Sequence, residues 1–197
     1  MRRSRKKARL SHLDAEGAAR MVDVSDKPVT VREAVARGRI RITPSAMRLV
    51  RAGRLRKGGV VEVARLAGIL AAKRTAEAIP LCHPLVLAHV EVELRARRDG
   101  FRVEARVRTE AKTGAEMEAL HAVAVAALTV YDMVKAVDRS MTIGEIRLVR
   151  KAGGQTGEWI RRGRGPTRRR TPRAGMTASS DVYRKRRPRR SASRGRS

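Results

Sequence analysis

The chain is predicted to fold as an α+β sandwich, with an antiparallel sheet covered by helices on one face. Three observations predict this. Residues 90–94 and 101–108 alternate apolar and charged side chains on either side of Asp99-Gly100, the pattern of a half-buried hairpin. Residues 60–79 and 115–137 are rich in apolar residues and long enough for packed helices. The full order reads strand, helix, helix, strand, strand, helix, strand, and a ferredoxin-like arrangement fits it best.

Each element follows from local chemistry. Residues 10–34 read as irregular, with a short extended piece at 21–25. Arg39, Ile40, Arg41, Ile42 and Thr43 alternate, so residues 39–43 are the first predicted strand. Ser45 is placed to cap a short helix over 46–52, which Gly53 ends. Gly58 and Gly59 release a longer helix over 60–79, with Val63, Leu66, Ala67, Leu70 and Ala71 as an apolar stripe. Pro80 stops it, and Leu81, Cys82, His83 and Pro84 form a loop. The hairpin has one apolar and one charged face, as a sheet covered on one side requires. A long helix spans 115–137, and residues 143–149 form the last strand before Gly153-Gly154. No internal repeat is present.

Composition narrows the function. The net charge of +28 suggests a nucleic-acid binder until it is divided along the chain. Residues 1–9 carry +6 and residues 160–197 carry +14, which leaves +8 on residues 10–159. Both ends are rich in Arg, Ser, Gly and Pro, so a basic N-terminal extension (1–11) and an Arg-rich tail (159–197) are expected to be disordered around a folded domain at 12–158. The tail reads either as a contact for nucleic acid or an anionic surface, or as a solvated extension from biased coding. Its two aromatic residues, Trp159 and Tyr183, are not interleaved in a base-stacking pattern. No uncharged apolar run reaches the roughly 18 residues of a membrane span, and no apolar segment follows the basic N-terminus as in a signal peptide. The single cysteine, Cys82, forms no internal disulfide, which suits a reducing cytoplasm.

The same bias marks the lysines. Residues 10–159 contain twenty Arg but only six Lys, namely Lys27, Lys57, Lys73, Lys112, Lys135 and Lys151. A compact ammonium with a tunable pKa is something Arg does not offer. Any one of these lysines is also explained by chance.

The long helix carries the densest constellation. It opens after Lys112-Thr113-Gly114 with Glu116, Met117 and Glu118, and ends with Asp132 and Lys135. Charges in an oily helix are costly to bury unless paired or used. Glu118, Ala122, Val125, Thr129 and Asp132 share one stripe, and fourteen residues separate its ends, about 21 Å along the axis. One small substrate cannot touch both ends of one helix, so either there are two sites or a second chain completes one. A two-fold interface brings the start of one helix near the end of its mate. The bland alternatives stay open: both Glu favour the helix N-terminus through its dipole, and Asp132 with Lys135 is a surface ion pair. The chemical alternative for that pair is proton transfer. His83 reads as a catalytic or phosphate-binding loop residue, or as a structural one. His121 reads as packing. One Cys and one His do not make a metal site, and no second pair has ligand spacing, so neither metal nor cofactor is expected.

Taken together, these segments resemble one family. The residues that carry it are Met21-Val-Asp-Val-Ser25, Thr30-Val-Arg-Glu-Ala34, Ala71-Ala-Lys-Arg-Thr75, Ile79-Pro-Leu-Cys-His-Pro-Leu85, Lys112-Thr-Gly114, Glu116-Met-Glu-Ala-Leu120, Tyr131-Asp-Met133 and Lys135-Ala-Val137. They resemble the cyclic pyranopterin monophosphate synthases of molybdenum cofactor biosynthesis, in order over about residues 12–158. The resemblance implies a ferredoxin-like subunit in a homohexamer, a trimer of dimers with sites at the dimer interface. It implies conversion of a cyclic guanosine triphosphate derivative to cyclic pyranopterin monophosphate and diphosphate. Residue by residue, it implies Asp132, Lys135 and Lys57 as catalytic. Leu81, Cys82, His83, Met117, Glu118, Glu116, Lys73 and Lys151 are implied to bind substrate. Ala111 and Gln155 depart from the family pattern, and the Arg-rich tail has no counterpart in it.

Overall fold

In the computed structural model, the described residues are 17–54, 59–154 and 157–162. The sequence-based expectations for residues 1–16, for Lys57 and for the tail beyond Arg162 lie outside them.

The elements are β1 (Thr30–Arg41), α1 (Pro44–Arg51), α2 (Val60–Lys73), α3 (Thr75–Ala78), β2 (Leu87–Arg97), β3 (Gly100–Ala111), α4 (Glu116–Val134), β4 (Thr142–Ala152) and β5 (Trp159–Ile160). All strand pairs are antiparallel, in the order β2-β3-β1-β4-β5. The first four strands thus have the ferredoxin-like order, and the sheet is α+β as expected. Alternation decides the faces. Ala34, Ala36 and Ile40 of β1 and Phe101, Val103, Ala105 and Val107 of β3 point into the core. Their neighbours Arg37, Arg39, Arg102 and Glu104 point away. Helix α4 lies across the core face, with Ala119, Ala122, Val123, Ala126, Ala127 and Val130 fully buried. By length and apolarity α4 also passes as a membrane span, but half of it is buried as the core helix.

Five local expectations are revised. First, β1 begins at Thr30 rather than Arg39. Ala34, Val35 and Ala36 are all buried, so this half of the strand lacks visible alternation. Second, Thr43 caps α1 in place of Ser45, accepting from the Ala46 N–H at 3.5 Å, with Pro44 in the first turn. Third, the 60–79 helix is broken at Arg74. The Thr75 hydroxyl donates to the carbonyls of Ala71 and Ala72, both at 3.1 Å, competing with the helical ladder. Fourth, the large residues of the predicted α2 stripe face outward, and Ala71 is the buried member of it. Val63, Leu66 and Leu70 are exposed, with Leu66 at 66%, whereas Val60, Ala64, Gly68, Ala71 and Ala72 are buried. Small residues win the inner face because α2 and α4 pack closely: a Cβ on Gly68 would press on the Ala122 carbonyl. Fifth, 142–152 is not the last strand: the short β5 follows it and pairs with it through Lys151 and Trp159.

Candidate active site

The loop after α3 and the turn before α4 meet, although about thirty residues separate them in sequence. Between them lies a cleft of about 630 Å³. Ile79, Leu81, Cys82 and His83 form one wall, and Thr113, Gly114, Glu116 and Met117 form another. Val22, Val24 and Lys27 from the N-terminal segment complete it.

The floor is polar where it counts. Glu116 accepts from the Lys151 ammonium at 2.9 Å, which links α4 to the end of β4. The Glu116 carboxylate folds back over Gly114, and a side chain at Gly114 would occupy the same space. Behind the wall, Glu118 is 2% exposed. Its Oε1 accepts from Cys82 Sγ at 3.6 Å, and its Oε2 is buried without a hydrogen-bond partner. Burial pushes the Glu118 carboxyl above the usual carboxylate range, with the nearby Glu116 charge adding to it; the Cys82 bond pulls back only in part. Burial, then the Glu118 charge, pushes the Cys82 thiol up to about 11. The dipole reading of Glu118 fails on burial, because a group serving the helix end from solvent would be exposed. The chain spends stability to keep this carboxyl in place.

The other end of α4 differs. Lys135 Nζ lies 2.7 Å from Asp132 Oδ1, and both side chains are about half exposed. Neither borders the cleft. Lys73, on the last turn of α2, is also exposed and outside it. The structure therefore gathers Leu81, Cys82, His83, Glu116 and Met117 around one cleft, sets Glu118 and Lys151 against them, and leaves Lys73, Asp132 and Lys135 apart. His121 meets the Thr75 hydroxyl at 3.2 Å, a packing role as read from sequence. Among the described residues no three His, Cys, Asp or Glu side chains gather to hold a metal. Sequence reasoning missed Val22, Val24 and Lys27 as lining residues. The signals were there: an extended piece at 21–25 and a retained lysine. The Lys112-Thr113-Gly114 turn, which could bind anions through its backbone N–H groups, does supply Thr113 and Gly114 to the lining.

With this geometry in place, similarity to known proteins is decisive. The MoaC family model matches residues 21–154. The chain belongs to the MoaC family. A protein from Thermomicrobium roseum named cyclic pyranopterin monophosphate synthase is 62% identical over 156 residues, covering 78% of this chain and 94% of that protein. Proteins of the same name from Parvibaculum lavamentivorans and Chloroflexus aurantiacus are 58% and 57% identical, each covering 77% of this chain and 96% and 94% of their own lengths. The matched span includes both cleft walls and both ends of α4.

Proposed function

We infer that the chain carries out the reaction its relatives are named for. It converts 3′,8-cyclo-7,8-dihydroguanosine 5′-triphosphate to cyclic pyranopterin monophosphate and diphosphate, a lyase step of molybdenum cofactor biosynthesis. The observation that carries this is the meeting of Leu81, Cys82 and His83 with Glu116 and Met117 around one cleft. These are the segments most specific to the family.

The roles follow from chemistry. Asp132 and Lys135 form a proton-transfer pair: the ammonium lies 2.7 Å from the carboxylate, and either group can hand a proton to a ring atom. Lys57, His83 and Lys151 hold phosphate oxygens as negative charge grows on the departing diphosphate. Leu81, Cys82, Met117 and Glu118 shape the wall against the ring system, and Glu116 orients Lys151. Lys73 belongs to the rim of the assembled site. Because Asp132 and Lys135 sit far along α4 from the cleft, the working site takes them from a second copy. The outward stripe of Val63, Leu66 and Leu70 offers apolar surface for such assembly, and a homohexamer built as a trimer of dimers is the proposed form. The catalytic unit is residues 12–158, extended by the β5 pairing; the basic ends are additions to it, and the protein works in the cytoplasm.

The test is direct. Purified protein incubated with the cyclic triphosphate is expected to release diphosphate and pyranopterin in equal amounts. A chain truncated after Arg162 should do the same. Absence of both products from the full chain sinks the reading. A nucleic-acid function predicts instead that truncation abolishes the activity.

A further inference from the structure

Lys151 meets α4 only because β4 breaks step. Against β1, Lys151 stands opposite Ala34 and Arg150 opposite Val35, but Leu148 stands opposite Ala36. Val149 is therefore an extra residue, a bulge in the ladder. Its consequence is a change of face. Leu148 packs against the core, so strict alternation would put Arg150 on that side as well and Lys151 on the open face. The bulge reverses this. Arg150 pairs with Glu33 at 2.6 Å on the open face, and Lys151 turns to the helix side, where it meets Glu116 at 2.9 Å.

The bulge is clamped from its far side by β5. The Arg161 N–H donates to the Val149 carbonyl at 2.9 Å, and its Nε donates to the Leu148 carbonyl at 2.7 Å. One residue thus holds both carbonyls at the bulge. The Arg161 guanidinium also lies 5.6 Å from the centroid of the Trp159 ring, and Trp159 pairs with Lys151 itself. Glu158 takes the Arg150 Nε at 2.7 Å. At two residues, β5 is too short to add much to the sheet as a strand. It also follows residue 154, where the family match ends. Yet each of these contacts falls on residues 148–151 or on the ring opposite Lys151.

We propose that β5, through Arg161, is a positioning element for Lys151. By fixing the bulge at Val149 it keeps the ammonium on the helix side, aimed at Glu116. Without the clamp the strand is free to slip by one residue, and that slip carries Lys151 towards the open face. Arg161 acts through the backbone of β4 rather than on substrate. Its effect on turnover rests on the reading of Lys151 given above.

Full-length variants test this with two readouts. Trace reductive methylation, read by mass spectrometry, reports the Lys151 ammonium directly, with the exposed Lys73 as internal standard. Arg161→Ala should raise Lys151 labelling relative to Lys73 by about threefold, the factor a partly exposed ion pair supplies. Arg161→Lys still offers a donor to the Leu148 carbonyl and should restore the wild-type ratio. Arg162→Ala removes the same charge one residue on and should change nothing. In turnover, Arg161→Ala should lower kcat by about tenfold with less effect on KM. In a Lys151→Ala chain it should cost nothing further, because both changes act through one ammonium. Unchanged Lys151 labelling in Arg161→Ala overturns the proposal, and so does an equal loss of turnover in the two backgrounds. If the wild type shows no turnover yet Arg161→Ala exposes Lys151, the assigned reaction falls and the positioning role stands.

Discussion

At its start, α4 presents charge that the chain has already dealt with. Glu118 is buried behind one wall of the cleft, and Glu116, paired to Lys151, lines the cleft itself. At its end, Asp132 and Lys135 pair with each other on an open surface. The same helix thus has a finished end and an unfinished one. Exposure at the second end is not looseness. Just past α4, Asp138 accepts from the Thr43 N–H at 2.8 Å and from the Ser140 N–H and hydroxyl at 2.9 and 2.7 Å, which ties the helix exit to the entry of α1. An exposed ion pair at the end of the core helix is what the proposed two-chain site requires.

Subunit mixing is the strongest way to break that comparison. Asp132→Asn should remove the proton-transfer group and lower turnover by on the order of a thousandfold, with thermal stability nearly unchanged. Lys151→Ala should lower it through the other end. If one site draws on both ends of α4 from different chains, each inactive variant supplies what the other lacks. Equal amounts unfolded and refolded together should then recover about a quarter of wild-type activity, because half the dimers are mixed and each has one intact site. Recovery of none places both ends in one chain's own site.

A smaller effect tests whether the finished end is finely set. Gly114→Ala puts a methyl group where the Glu116 carboxylate rests and should pull it away from Lys151. Helix content should stay the same while turnover falls by about tenfold to a hundredfold, as misplacements near 1 Å do. Wild-type turnover in this variant argues that the Glu116–Lys151 pair is structural.

How much of this was legible follows the same division. The strands, the hairpin and α4 could be read because alternation and apolar length are local signals. The inner face of α2 could not. Ala64, Gly68, Ala71 and Ala72 look weak beside Val63, Leu66 and Leu70, and only the closeness of α4 makes small size decisive. The start of β1 was hidden for a related reason, since Ala34, Val35 and Ala36 are covered on both faces. In the site, motif residues announced themselves, and the helix count gave the separation of its ends. Val22 and Val24 did not, because nothing in an irregular N-terminal segment says which loop it will lie against.

Next in size is the brace under the unfinished end. Asp138→Ala removes three accepted hydrogen bonds from a nearly buried carboxylate and should cost about 2 kcal/mol. These bonds, led by the one from the Thr43 backbone, hold the Asp138 carboxyl below the usual range. A group with a lowered folded-state pKa stabilises above its unfolded value near 3.8 and loses that contribution as pH falls. Wild type should therefore lose stability below about pH 4 more steeply than Asp138→Ala in chemical denaturation.

The smallest effect has the opposite sign and belongs to the finished end. Burial raises the Glu118 carboxyl above its model-peptide value of 4.5, so the folded chain holds this proton longer than the unfolded chain does. The stabilising share is complete below 4.5 and is lost as pH rises towards the raised value. Glu118→Gln keeps the shape, removes the ionisation and should flatten the fall in stability that wild type shows as pH rises above 4.5. The variant also separates burial from use. If Glu118 were retained for stability alone, Gln would improve the fold at neutral pH and leave turnover intact. If the carboxyl serves substrate, stability at pH 7 should rise while the KM for the triphosphate worsens. Denaturant midpoints at pH 5 and 7 beside the kinetic constants decide between them, and a variant unchanged in both removes Glu118 from the site.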